Sequence, residues 1–145
     1  MPNWCENTLC IRAEEKEDMK ELKDLLDETL KHDKDGNAYG LLSAIIPIPK
    51  EYENTTAPSN KPNWYDWCCH NWGTKWDVDC YTSEIEDDYM EFEFDSAWAP
   101  PVPWLEQVAM LFPKLHFSLK YDEPGAGFMG CARGKGDIND DCIEY

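Results

Sequence analysis

Basic residues are scarce in this chain: thirteen lysines and arginines stand against thirty aspartates and glutamates, a formal net charge of −17 over 145 residues. Affinity for a phosphate backbone comes from Lys and Arg neutralising it, so direct nucleic-acid binding is excluded as a working expectation. No apolar run approaches the ~20 residues a membrane-spanning helix needs. The opening Met1-Pro2-Asn3-Trp4-Cys5-Glu6 has neither the basic start nor the apolar stretch of a secretory signal. The expectation is a cytosolic chain with no membrane partner. Its cysteines then stay reduced, and seven is an odd number that cannot pair completely.

The spacings that mark metal and cofactor sites are missing too. No CxxC or HxxxH occurs, and neither glycine-rich piece, Gly125-Ala126-Gly127 or Arg133-Gly134-Lys135-Gly136, has the GxxxxGK[ST] form of a phosphate loop. The first reads as a hairpin turn and the second as a basic loop. Cys68, Cys69 and His70 are contiguous. On a helix, neighbouring side chains diverge by about 100°, so three in a row do not converge on one ion. With Cys80 they are expected to be packed thiols and a surface imidazole, with no metal and no cofactor. Cys69 or Cys80 with His70 or His116 would be a nucleophile pair only if a third group ordered them, and no such pattern is visible. Pro2 would become a secondary amine after loss of Met1, but the residues following it are not those of the small tautomerases that use one. No catalytic residue is assigned.

What the chain does have is aromatic surface and acid. Residues 64–77 read WYDWCCHNWGTKWD and hold four of the seven tryptophans. Each Trp or Tyr buries on the order of 150–250 Å² when packed. This stretch is therefore expected to close the core, with Trp67, Trp72 and Trp76 mostly buried. Hydrophobic residues at 42% and aromatics at 13% exclude general disorder, and the length suits one domain.

Periodicity supplies the elements. Trp4–Arg12 alternates as a strand, with Asn7, Leu9 and Ile11 on one side and Thr8, Cys10 and Arg12 on the other. Residues 13–31 carry Met19, Leu22, Leu25, Leu26 and Leu30 on one helical stripe, with acids at the positive end of the helix dipole. Residues 33–36 form a stop. Residues 41–49 are expected to be extended, and 51–63 a polar loop. Trp64–Asn71 reads as a short helix ended by Gly73. Residues 75–82 and 89–96 read as paired strands, 102–112 as a second amphipathic helix, 115–121 and 127–133 as further strands, and 137–145 as a tail able to add an edge. This order predicts one α+β domain: a ferredoxin-like antiparallel sheet, helices packed on one face, an inserted loop at about 41–63 and a short C-terminal extension.

Several strings together carry a resemblance: Met1-Pro2-Asn3-Trp4-Cys5 with Asn7, Ile46-Pro47-Ile48-Pro49, Trp64-Tyr65 through Asn71-Trp72-Gly73-Thr74-Lys75-Trp76-Asp77, Ala97-Trp98-Ala99-Pro100-Pro101 after Phe94, and Tyr121 through Gly127-Phe128. In these the chain resembles the YubB ferredoxin-like domain family, a domain of unknown function carried by phages, plasmids and related elements. The resemblance implies the ferredoxin-like path and a mobile-element setting. It supplies no catalytic residues.

Two candidate surfaces follow. Asp77 and Asp79 on one strand, Glu91, Glu93 and Asp95 on its neighbour, and Glu84, Glu86, Asp87 and Asp88 in or near the turn form an acidic face. Its natural partner is a basic host protein, in the sharpest form a nucleic-acid-binding effector of host defence that the domain inhibits by contact. The rival is a small-ligand-binding or sequestering pocket protein, or a minor enzyme, built around the Trp64–Trp76 aromatic cluster, its pocket lined by Trp64, Asn71, Trp72, Thr74, Lys75 and Trp98.

Overall fold

The computed structural model describes residues 3–57 and 59–145. Strand β1 (Trp4–Arg12) leads into helix α1 (Lys16–Thr29), a small hairpin of β2 (Lys31–His32) and β3 (Ala38–Tyr39), and helices α2 (Leu41–Ile45) and α3 (Trp64–Asn71). Then come β4 (Cys80–Ile85), β5 (Tyr89–Ala97), α4 (Val102–Leu111), β6 (His116–Glu123), β7 (Phe128–Gly134) and β8 (Asn139–Glu144). The main sheet has six strands in the order β4-β5-β1-β6-β7-β8, every pair antiparallel. Its first four strands with α1 and α4 trace the split βαββαβ path of a ferredoxin-like fold. The α+β expectation holds. β7 and β8 lengthen the sheet on the β6 side, so the tail is an edge strand.

The strand period of two decides which face is covered. Leu9 and Ile11 of β1, Met90, Phe92 and Phe94 of β5, and Phe117 and Leu119 of β6 all point to one side. There they meet Met19, Leu22 and Leu26 of α1, and Trp104, Leu105 and Val108 of α4. Helices cover this face only.

The inserted stretch departs from the sequence reading. Leu41–Ile45 is helical, not extended, because Asp77 acts as a cap from a distant part of the chain. Its carboxylate accepts the Leu42 N–H at 2.8 Å and the Ser43 N–H at 3.1 Å, satisfying donors that a helix start leaves orphaned. Two buried indoles hold the insertion down. Trp104 Nε1 donates to the Leu42 carbonyl and Trp72 Nε1 to that of Ile46, each at 2.9 Å. Helix α3 begins at Asn63, whose side chain accepts the Asp66 N–H, and ends at Gly73 with φ +85°. A Cβ on Gly73 would lie 2.5 Å from Pro103 Cδ, so both the turn and the packing of α4 require glycine there.

Candidate functional site: the bare face of the sheet

The opposite parity of the same strands builds an uncovered surface. Residues that sit side by side across the sheet follow from the register. One row runs Glu84, Glu91, Cys10, Ser118, Arg133; the next Thr82, Glu93, Thr8, Lys120, Cys131, Asp141; the third Asp95, Glu6, Asp122, Met129, Ile143. The third row puts three carboxylates on three adjacent strands, separated only by the interstrand spacing of about 4.7–4.9 Å. The three ion pairs among the described residues, Lys23–Asp87, Lys114–Asp18 and His116–Glu14, leave this trio out.

Tyrosines bracket it. Tyr145 Oη donates to Asp122 at 2.5 Å, and this hydrogen bond first, with Glu123 and Glu6 adding, pushes the phenol up to about 12. Tyr81, in the bulge between Cys80 and Thr82, is raised by partial burial and then by Asp95, Glu93 and Glu6. Partial burial lifts Asp95 above the ordinary carboxylate range, opposed by its hydrogen bond with Tyr81. Behind the trio lies a further carboxylate. Glu123 is fully buried; Oε1 accepts the Ala126 N–H, and Oε2 has no partner among the described residues.

At the end of this face stand exposed tryptophans. Trp4, two residues before Glu6 on the same side of β1, is 46% exposed and lies 6.1 Å from the ring of Trp76, which is 42% exposed. Lys75 Nζ sits 4.3 Å over the Trp76 ring, a cation–π contact. The expectation that Trp76 is buried is corrected. With Asp77 turned to cap α2, residues 75–79 do not join the ladder, and β4 begins only at Cys80. Trp76 then packs on Trp4 at the rim, while Trp72 is buried and Trp67 partly so.

Trp98, also exposed, has φ +70° and is flanked by an Ala99 N–H to Ala97 carbonyl hydrogen bond of 2.9 Å. That is a γ-turn of the rare positive-φ kind, costly for a residue with a Cβ. Three contacts over-determine it: Trp98 N–H to the Asn3 carbonyl, Thr74 Oγ1 to that of Ala97, and Ser96 Oγ to that of Ala99.

The acids expected on one face separate. Glu84, Glu91, Glu93 and Asp95 share the bare face. Glu91 there accepts from Tyr89 Oη at 2.9 Å and Cys10 Sγ at 3.5 Å. Asp77 is spent on capping α2. Asp79 makes only an isolated bridge with Tyr39. Asp87 turns to Lys23 of α1 at 2.7 Å, and the Asp88 carbonyl accepts the Ala13 N–H; Glu86 lies in the same turn. Glu6 and Asp122, central to the face, were not assigned from sequence. Glu6 has the parity of Thr8 and Cys10, but nothing in sequence says that β1 lies between β5 and β6. Asp122 falls just past the expected strand end.

The pocket residues do not form one cleft. Trp72 and Thr74 are buried and hydrogen-bonded into the frame, and Trp64 packs edge-on against Tyr65. Asn71 donates to the Trp67 carbonyl and accepts from Gln107, Lys75 is over Trp76, and Trp98 is at the surface. Grooves on the surface lie along α1, at Lys16, Lys20 and Lys23, beside α4, at Gln107, Met110 and Ile138, and at the Arg12, Tyr89 and His116 end of the sheet.

All seven cysteines are free thiols. Burial is the main cause that pushes Cys5, Cys68 and Cys80 each up to about 12, which removes them from thiolate chemistry near neutrality. Cys69 and Cys142 are exposed rather than packed. Among the described residues no group of three or more His, Cys, Asp or Glu is placed to hold a metal ion, and no helix is long and apolar enough to cross a membrane. Pro2 lies outside the described residues.

Comparison with known proteins adds a family and a fold. The family model described as a ferredoxin-like domain in Api92-like protein matches residues 72–144, just over half of the chain. This overturns the YubB assignment. The crystal structure of protein Api92 from Yersinia pseudotuberculosis is similar over 100% of this chain and 98% of that one, with a TM-score of 0.54 and 12% identity; identity that low speaks to fold alone. A search of curated proteins gives no match.

Proposed function

The chain belongs to the family of ferredoxin-like domains in Api92-like proteins, and we propose that this member is a non-enzymatic binding domain whose bare sheet face engages a basic protein. One observation carries the proposal. The Asp95–Glu6–Asp122 row lies on a face that no helix covers, with no ion pair to the described residues. Like charges side by side on a sheet weaken it, and a cationic partner removes that cost on binding. A net charge of −17 adds long-range attraction for basic surfaces and repulsion of nucleic acid. Partners that hold nucleic acid in a basic groove fit best, because carboxylates can occupy such a groove in place of phosphates. An inhibitor of a host nucleic-acid-directed defence system is the narrowest form. Its support from a mobile-element setting went with the YubB resemblance, and charge alone carries it. A cytosolic setting belongs to the same proposal and agrees with seven unpaired thiols.

The test is kinetic. A captured partner is measured by surface plasmon resonance at low and high salt against the native chain and the double variant Glu91→Lys/Glu93→Lys. Electrostatic steering gives an on-rate that falls with salt and collapses on charge reversal. An on-rate indifferent to both sinks the acidic-face proposal.

A further inference from the structure

The acidic row and the exposed indoles adjoin, and together they select one kind of cation. Trp4 and Glu6 are on the same side of β1, two residues and so about 6.6–6.8 Å apart. Glu6 is flanked by Asp95 on β5 and Asp122 on β6. An ammonium is a compact point charge, whereas a guanidinium is a flat fork that can stack on an aromatic ring and reach carboxylates in its plane at once. The ring pair already receives an ammonium from Lys75, at 4.3 Å from Trp76. Among the described residues, the carboxylates beside it receive none.

Resting on the acidic-face reading, we propose that this corner binds an arginine-bearing extended segment of the partner, one guanidinium lying against Trp4 while it forks onto Glu6 and Asp95. The potential at this end of the sheet suits a cation. Cys5 is raised first by burial, with the Glu123 charge adding to the rise, and Tyr145 is raised first by its hydrogen bond to Asp122, then by burial and by the charges of Asp122, Glu123 and Glu6. Further along the same row, Met129 and Ile143 are 41% and 61% exposed, giving an apolar side chain of the segment a place to rest. The order of features across the row is thus aromatic and acidic first, apolar second. The strained turn at Trp98 adds a third exposed indole next to the Asn3 backbone.

The experiment uses the full chain and two synthetic peptides of equal length and charge, three arginines or three lysines alternating with glycine and ending in leucine. Binding is followed by the indole N–H signals of Trp4 and Trp76 in NMR titrations at two salt concentrations. The expected result is affinity for the arginine peptide about tenfold above that for the lysine peptide, a margin in line with stacking of a desolvated guanidinium. Trp4 and Trp76 signals should shift with the arginine peptide, Trp4→Leu should bring its affinity down to the lysine level, and Glu6→Gln should weaken both. Equal, salt-sensitive binding of the two peptides overturns the arginine assignment while leaving the acidic face standing. Binding of neither overturns both. Unshifted Trp4 and Trp76 signals in the native chain overturn the stacking even if Trp4→Leu fails to fold.

Discussion

Neutralising Glu6 should make the isolated domain more stable. Glu6 is exposed, makes no ion pair among the described residues and directly faces Asp95 and Asp122. Opposed like charges on a sheet cost roughly 0.2–1 kcal/mol per pair. Coulomb's law gives about 0.8 kcal/mol for unit charges ~5 Å apart in water, and physiological salt, with a screening length of about 8 Å, roughly halves that. Two pairs leave about 1 kcal/mol to be gained by Glu6→Gln, which for a domain of this size raises Tm by about 2–4 °C. Thermal melts of both proteins at 0.02 and 0.5 M NaCl measure it, concentrations that set screening lengths of roughly 20 and 4 Å. The gain should be largest at low salt and shrink at high salt. It should also shrink in acid. The folded-state pKa of Asp95 is raised by partial burial. Its contribution is therefore favourable below the unfolded carboxylate range and is lost as pH rises through the folded value, so its repulsion of Glu6 is present at neutrality and relieved in acid. A Gln variant no more stable than the native chain at low salt, or a gain indifferent to salt, refutes the reasoning.

Asp77→Ala should cost about 2 kcal/mol in chemical denaturation, because two donors at the start of α2 lose a charged acceptor, while Asp79→Ala should fall within about 0.5 kcal/mol of the native chain. Thr74→Val should lose about 0.5–1.5 kcal/mol, since the Ala97 carbonyl keeps only the Ala99 N–H of the strained γ-turn as its donor, and protease sensitivity at the Trp98 turn should rise with it. Trp72→Ala should cost about 3–5 kcal/mol by urea titration, from a buried ring whose Nε1–H also holds the Ile46 carbonyl. A loss under about 1 kcal/mol there would mean that the insertion is not packed through this residue.

Elements whose residues obey one period were legible in the sequence. Trp4–Arg12 and Trp64–Asn71 have the expected bounds, because alternation and an Asn63 cap are local signals. The helix α1 stripe and the β5 alternation were equally plain. Residues 41–49 misled because two prolines and a run of isoleucines look extended, whereas the cap that makes Leu41–Ile45 helical comes from Asp77, well over thirty residues away. Trp76 misled for the same reason: its parity with Val78 and Cys80 counts only inside a strand, and the strand starts after it. The candidate face was half legible. Which acids share a side of β5 follows from period two. That Glu6 and Asp122 complete the row depends on β1 lying between β5 and β6, a long-range pairing that no local pattern encodes.

The two outer strands of the sheet carry a consequence for self-association. β4 is kinked by its bulge at Tyr81 and bears Glu84, and β8, exposed along its whole length, bears Asp140, Asp141 and Glu144. An open edge is a template for another strand, and here any two copies meeting edge to edge set carboxylate against carboxylate. While the acids of the inner row weaken the fold from within, those of the two edges keep concentrated molecules apart. Lowering the net negative charge with acid weakens both effects. Precipitation on acidification should accordingly begin from folded molecules joining through β8, ahead of any unfolding.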